Sequence, residues 1–217
     1  MFNVGEHVLG TTTPLFALIV GVLHRLTAVD YVILAFVVAV ASHAATCALI
    51  ATIGRRCQQP AAGCLAGCLY ALSPTVLGTV LGCMETSTFV LASVYALAGT
   101  QRPLDFSRNL AASLSLLLRP EGGLVVGLHL LEAARISFRS ARSAAVVVAV
   151  TVLPWMAFAT WYFGSPVPQS MVAKLGHPLS FAPLLAAENF WFVLVSIPLA
   201  LPLVGHALET IRPIPFG

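Results

Sequence analysis

Charged residues fall singly or in pairs along this chain and leave long apolar runs between them, at residues 31–54, 57–84, 86–101, 109–118, 122–131, 143–164 and 189–208. Uncharged runs of this kind, one after another, predict membrane-spanning helices. Ahead of them Thr11, Thr12 and Thr13 followed by Pro14 form a helix-start signal. The apolar helix they open is closed by Arg25. At about 1.5 Å per residue it is too short for roughly 30 Å of hydrocarbon, so it is expected to lie along the interface.

Sidedness follows from the basic residues. If the first helix does not cross, the spans alternate so that Arg55, Arg56, Arg102, Arg108, Arg135, Arg139, Arg142 and Arg212 share one face. That face is the cytoplasmic one. Arg25, Arg119 and Lys174 fall opposite, with Glu6, Asp30, Glu85, Glu121 and Glu188. The expected fold is all-α: a polytopic membrane bundle of about seven transmembrane helices plus the interfacial helix. It forms one transmembrane domain over residues 1–217, with an external loop and the interfacial helix in 1–30, spans in 31–208 and an external loop at 165–188. The runs 109–118 and 122–131 measure only about 15 Å each. Arg119 and Glu121 between them are therefore expected below the outer membrane surface. An arginine at such depth costs about 2.5–3.5 kcal/mol unless it faces protein or water, which marks it as a candidate site.

Composition sharpens this picture. Of 217 residues 59% are hydrophobic and 9% charged, and mean hydropathy is +0.94, against roughly 25% charged in soluble domains. A soluble enzyme and a disordered chain are poor readings. The net charge of +3 comes from dispersed residues with no basic run, so no nucleic-acid partner is expected. The five cysteines imply no disulfide framework. Cys64 and Cys68 share a helical face but have no His or acid near them in sequence, so packing is favoured over a metal site. The N-terminus lacks the pattern of a secretory signal.

Three patches carry chemistry on the outer face. Gly82-Cys83-Met84-Glu85-Thr86-Ser87 puts an acid at a helix start, where capping alone would account for it. Leu118-Arg119-Pro120-Glu121-Gly122-Gly123 breaks a helix and holds an Arg and a Glu two residues apart, as a structural ion pair also would. Trp161-Tyr162-Phe163-Gly164-Ser165-Pro166-Val167-Pro168-Gln169-Ser170 leads to Lys174, the one lysine. Its rings suit an aromatic belt, and the lysine could simply snorkel.

These patches, with Asn3-Val4-Gly5-Glu6 through Gly10-Thr11-Thr12-Thr13-Pro14-Leu15, resemble the polytopic glycosyltransferases of the GT-C type. The likeness is nearest to bacterial mannosyltransferase-like and arabinofuranosyltransferase-like members and covers about residues 3–175. Cys83 stands where that family usually has Gly, and Gln169 where Asn is commoner. The resemblance implies inverting transfer of a sugar from a polyprenyl-phosphate donor to a hydroxyl of a glycan, lipid or protein acceptor, at the external face of the plasma membrane. It assigns donor-phosphate binding to Arg119 and Lys174, as bidentate fork and point charge. Glu85, Glu121, Glu6 and Gln169 would orient these cations or bind substrate. It implies no certain cofactor beyond the lipid donor, and a divalent cation could join Glu85 and Glu121. It also implies a further helix and the general base upstream of Met1, so the chain is expected to be a fragment, inactive alone. The alternative is a transporter or transporter subunit. Against that stand the lack of an internal repeat and a membrane midplane in which His43 is nearly the only polar residue.

Overall fold

The computed structural model describes residues 9–98 and 106–167. Its described residues form eight helices and no strand: α1 (Pro14–Thr27), α2 (Tyr31–Arg56), α3 (Pro60–Leu72), α4 (Pro74–Leu81), α5 (Thr86–Leu97), α6 (Phe106–Leu118), α7 (Gly122–Ile136) and α8 (Phe138–Phe163). Proline opens three of them, α1, α3 and α4, as its fixed φ and missing N–H favour. Thr13 is the N-cap of α1 but makes no side-chain capping bond. The Thr11 hydroxyl instead accepts from the Thr13 amide at 3.2 Å.

Two helices, α2 and α8, are each long and apolar enough to cross a membrane. The run 57–84 is not the single straight span its composition predicts. Pro74 removes a backbone donor and bends α3 from α4 by 53°, so the pair makes a broken span or a re-entrant loop. With 12, 13 and 15 residues, α5, α6 and α7 are about 18–23 Å long, short of a full crossing. The run 189–208 lies outside the described residues.

Packing is inverted relative to a water-soluble bundle. Among the described residues the fully buried apolar positions are Ala39, Ala96, Ala112, Ala133, Ala144 and Ala159 with one large side chain, Leu118, while Leu69, Leu72, Leu124 and Phe138 are among the exposed ones. Small residues let helix backbones approach, and large apolar ones are left for a hydrocarbon solvent. One such close approach joins α2 to α3, where a Cβ on Gly63 would stand 2.6 Å from the Gly54 Cα.

Bonds between helix ends set the direction of each element. At one end, Cys83 after α4 reaches the Val32 carbonyl in the first turn of α2 at 3.8 Å, and Arg119 after α6 reaches Thr86 at the start of α5 at 3.1 Å. At the other, Arg108 in the first turn of α6 meets Ala96 near the end of α5 and Glu132 near the end of α7. Helices α5, α6 and α7 are therefore successively antiparallel.

Candidate functional site

The α6–α7 turn positions Arg119. Its amide still donates to the Ser115 carbonyl at 3.0 Å, but Pro120 cannot donate, and the chain turns through bonds from Gly122 to Arg119 and from Gly123 to Pro120. Only a glycine fits at 122, because a Cβ there would collide with the backbone of Ser115. The tight reversal projects the guanidinium toward the start of α5.

There it meets two carboxylates and a hydroxyl. Nε and Nη2 donate to the two Glu121 oxygens at 3.4 and 3.2 Å, Nη1 donates to Thr86 Oγ1 at 3.1 Å, and Glu85 Oε1 lies 3.9 Å from Nε. Its Cζ stands 5.8 Å from the centre of the Phe89 ring, at cation–π range. Side-chain exposure is 18% for Glu85, 30% for Arg119 and 58% for Glu121, so Glu85 is the inner and Glu121 the outer clasp. Glu85 is the N-cap residue of α5 but makes no capping bond; its carboxylate sits beside the guanidinium, whose full charge outweighs the partial charge of a helix end.

The site is recessed. Thr88, in the first turn of α5, exchanges a 3.0 Å hydrogen bond with Ser42, eleven residues into α2 and about 16 Å along its axis. Between Cys83 and Thr88 the chain thus runs from the first turn of α2 to its middle, and Glu85 and Thr86 lie on that descent.

Chemically, the arrangement is a preoriented guanidinium with a formal charge of −1 over the trio. An anion would reach the guanidinium here only by displacing Glu121, the more exposed of the two carboxylates. The two carboxylates would hold a divalent cation only together with substrate oxygens, as magnesium sites do, and only by giving up the guanidinium. Among the described residues no group of three or more His, Cys, Asp or Glu could hold a metal. Of the other expected site residues, Glu6, Gln169 and Lys174 lie outside the described residues.

Two polar groupings were not legible as such in the chain. Arg108, expected to reach toward the inner interface, is instead 5% exposed. It donates from Nη2 and Nε to the Ala96 carbonyl at 2.8 and 3.2 Å and pairs with Glu132 at 3.3 Å. Beside it in α6, Asn109 Oδ1 and His129 Nε2 meet at 2.8 Å, both residues fully buried. The spacing Asn109–Ser113 and the pair His129–Glu132, each on one face of a short helix, carried a signal for this cluster. The second grouping crosses α2, α3 and α5. His43 is not alone: its ring stacks on Tyr70 at 5.1 Å, and beside it Ser42 shares a hydrogen bond with Thr88 and accepts at its carbonyl from the Thr46 hydroxyl at 2.8 Å.

No protein-family model matches the chain, and no curated protein or solved structure matches it either.

Proposed function

We propose that this protein is a membrane glycosyltransferase of the GT-C type, moving a sugar from a polyprenyl-phosphate donor to a hydroxyl acceptor at the external face of the plasma membrane. In this reading α1 lies along the outer interface, and α2, α3 with α4, α5, α6, α7, α8 and the run 189–208 are the seven spans. The eight-to-three division of basic residues supports that topology. The observation that carries the function is the recessed Arg119, clasped by Glu85 and Glu121 and bonded to Thr86. In the transfer, the acceptor oxygen forms a bond to the anomeric carbon while the bond from that carbon to the phosphate oxygen breaks, the phosphate leaves with the electron pair, and the hydroxyl proton passes through water to the departing phosphomonoester. A fork-shaped cation already oriented by two carboxylates and a hydroxyl stabilises that developing charge. Glu85 and Glu121 orient the fork. None of these takes the role of base.

The test is donor binding in membranes containing the protein, with transfer measured in a longer protein that carries this sequence. Arg119→Ala is expected to lower turnover by about 10²–10³, the loss typical of one charge-stabilising donor, with insertion intact. Arg119→Lys retains part of the activity because it keeps the charge and loses the fork. Unchanged donor affinity in Arg119→Ala would refute the assignment.

A second reading, transport, draws support from the broken α3–α4 span and from the Ser42–Thr88, Thr46 and His43–Tyr70 seam, since interrupted helices and buried polar groups also line substrate paths. Translocation of a labelled solute into proteoliposomes, abolished by Ser42→Val with sugar transfer absent, would favour it.

A further inference from the structure

The short turn between α7 and α8 gathers three guanidinium groups. Arg135 lies in the last turn of α7, and Arg139 and Arg142 lie in the first two turns of α8. All three are exposed. Arg139 and Arg142 are three residues apart and so share a helix face. Arg135 precedes Arg139 by four residues, about 13 Å of chain even if it were fully extended. The turn that joins them is fixed by its own bonds. The Ser137 amide still donates to the Ala133 carbonyl at 3.1 Å. The Ser137 hydroxyl, at the N-cap of α8, accepts from the Ser140 amide at 3.1 Å and donates to the Ser140 hydroxyl at 2.9 Å. A single extended residue thus links the two helices.

This positive charge is not compensated within the described protein. The first turn of α8 holds no acid, and the sequence has none between Glu132 and Glu188. Glu132 pairs with Arg108. Among the described residues no ion pair reaches Arg135, Arg139 or Arg142. Arg135 stands at the negative end of α7, a favourable place for a cation, whereas Arg139 stands at the positive end of α8, an unfavourable one. Arg55 and Arg56 offer the contrast: they close α2 at its negative end, and Arg55 donates to Thr52 Oγ1 at 3.1 Å.

The surroundings select the kind of anion. Phe138, between Arg135 and Arg139 in the chain, is 83% exposed, the highest value among the large apolar side chains described, and Ile136 is exposed beside it. Helix α8 is long and apolar enough to cross a membrane, which places its first turn at the boundary between hydrocarbon and water. A soluble phosphate there would neutralise arginine and leave Phe138 in water. A phospholipid brings its phosphodiester to the guanidinium forks and its acyl region to Phe138 and Ile136 together. Three uncompensated cations favour a headgroup of net negative charge over a zwitterionic one. We infer that the α7–α8 turn is a binding site for the headgroup of an anionic phospholipid, held by Arg135, Arg139 and Arg142 with Phe138 seated in the acyl region. The site rests on α8 crossing the membrane and is independent of any role for Arg119. In the topology proposed above it faces the cytoplasm, where anionic lipids draw basic juxtamembrane segments.

The experiment titrates the full chain, purified in a non-ionic detergent, with phosphatidylglycerol or phosphatidylcholine and reads the affinity of the first bound lipid by native mass spectrometry. Phosphatidylglycerol is expected to bind at least about tenfold more tightly. Arg139→Gln should weaken it about fivefold, the equivalent of about 1 kcal/mol for one arginine at an anionic surface, and Arg139→Gln with Arg142→Gln should weaken it further. Arg55→Gln with Arg56→Gln should leave it unchanged. Phe138→Ser keeps every charge and should also weaken it, which preserves the test should the double arginine variant fail to insert. Equal affinity for the two lipids overturns the inference. So does an equal loss in the Arg55 and Arg56 variant, which would mark a general effect of surface charge. Displacement of phosphatidylglycerol by the same concentration of glycerol phosphate overturns it as a site for soluble anions. Donor binding at Arg119 is read separately and should be unchanged in all these variants, so either reading can fail while the other stands.

Discussion

Replacing Arg108 by methionine keeps an unbranched, apolar stem inside the bundle and deletes its charge. The guanidinium is 6% exposed by side chain, and its bonds hold three helices together: two to the Ala96 carbonyl near the end of α5 and one to Glu132 of α7. Without it, Ala96 keeps a carbonyl that the end of its own helix cannot satisfy, and Glu132 becomes an unpaired carboxylate. Polar contacts between membrane helices average about 0.6 kcal/mol and reach about 1.7, so three such bonds represent about 2–5 kcal/mol. Breaking a wholly buried ion pair costs about 3–5 kcal/mol. Glu132 is 33% exposed, and water reaching it places the expected loss toward the lower range. A second variant separates charge from packing. Glu132→Gln in the Arg108→Met background removes the stranded charge and should recover about 1 kcal/mol, whereas Glu132→Gln alone destabilises. The assay is reversible unfolding in mixed micelles by titration with a denaturing detergent, read by tryptophan fluorescence. A loss below about 0.5 kcal/mol for Arg108→Met, or strict additivity of the two substitutions, would refute the account of a coupled three-helix lock.

Three further outcomes follow from the same geometry. Gly122→Ala should destabilise the protein by about 1–3 kcal/mol, the usual range for overpacking, and should impair the site with it, because the new Cβ forces α7 away from Ser115 and shifts Arg119; unfolding midpoints and donor binding both read this. Cys83→Gly should stabilise by up to about 1 kcal/mol, since residue 83 has φ +54°, a left-handed conformation that glycine adopts without a Cβ penalty, and an unchanged or lowered unfolding midpoint would count against it. On a cysteine-free background, Ser165→Cys should react with an impermeant thiol reagent in intact cells and Arg139→Cys should not; the reverse pattern defeats the proposed sidedness.

Much of this protein was written in short-range patterns. Runs without charge marked the helices, Pro14 marked where the first of them begins, and Pro120 with Gly122 and Gly123 marked the reversal that carries Arg119. The Arg119–Glu121 pair was equally legible, because two residues across a tight turn have little freedom to part. Such features depend on backbone sterics and on contacts within a turn or two, which sequence spacing expresses directly. Only the tertiary structure decided the rest. Glu85 and Thr86 reach Arg119 from more than thirty positions away, which only the antiparallel packing of α5 and α6 accomplishes. Arg108 could have extended to the interface from its place in the first turn of α6. It is buried because the Ala96 carbonyl and the Glu132 carboxylate arrive from two other helices to replace its water. In a chain this apolar, hydrophobicity cannot say which face of a helix meets protein and which meets lipid. The choice falls to small residues and scattered polar groups, whose partners exist only once the helices are packed.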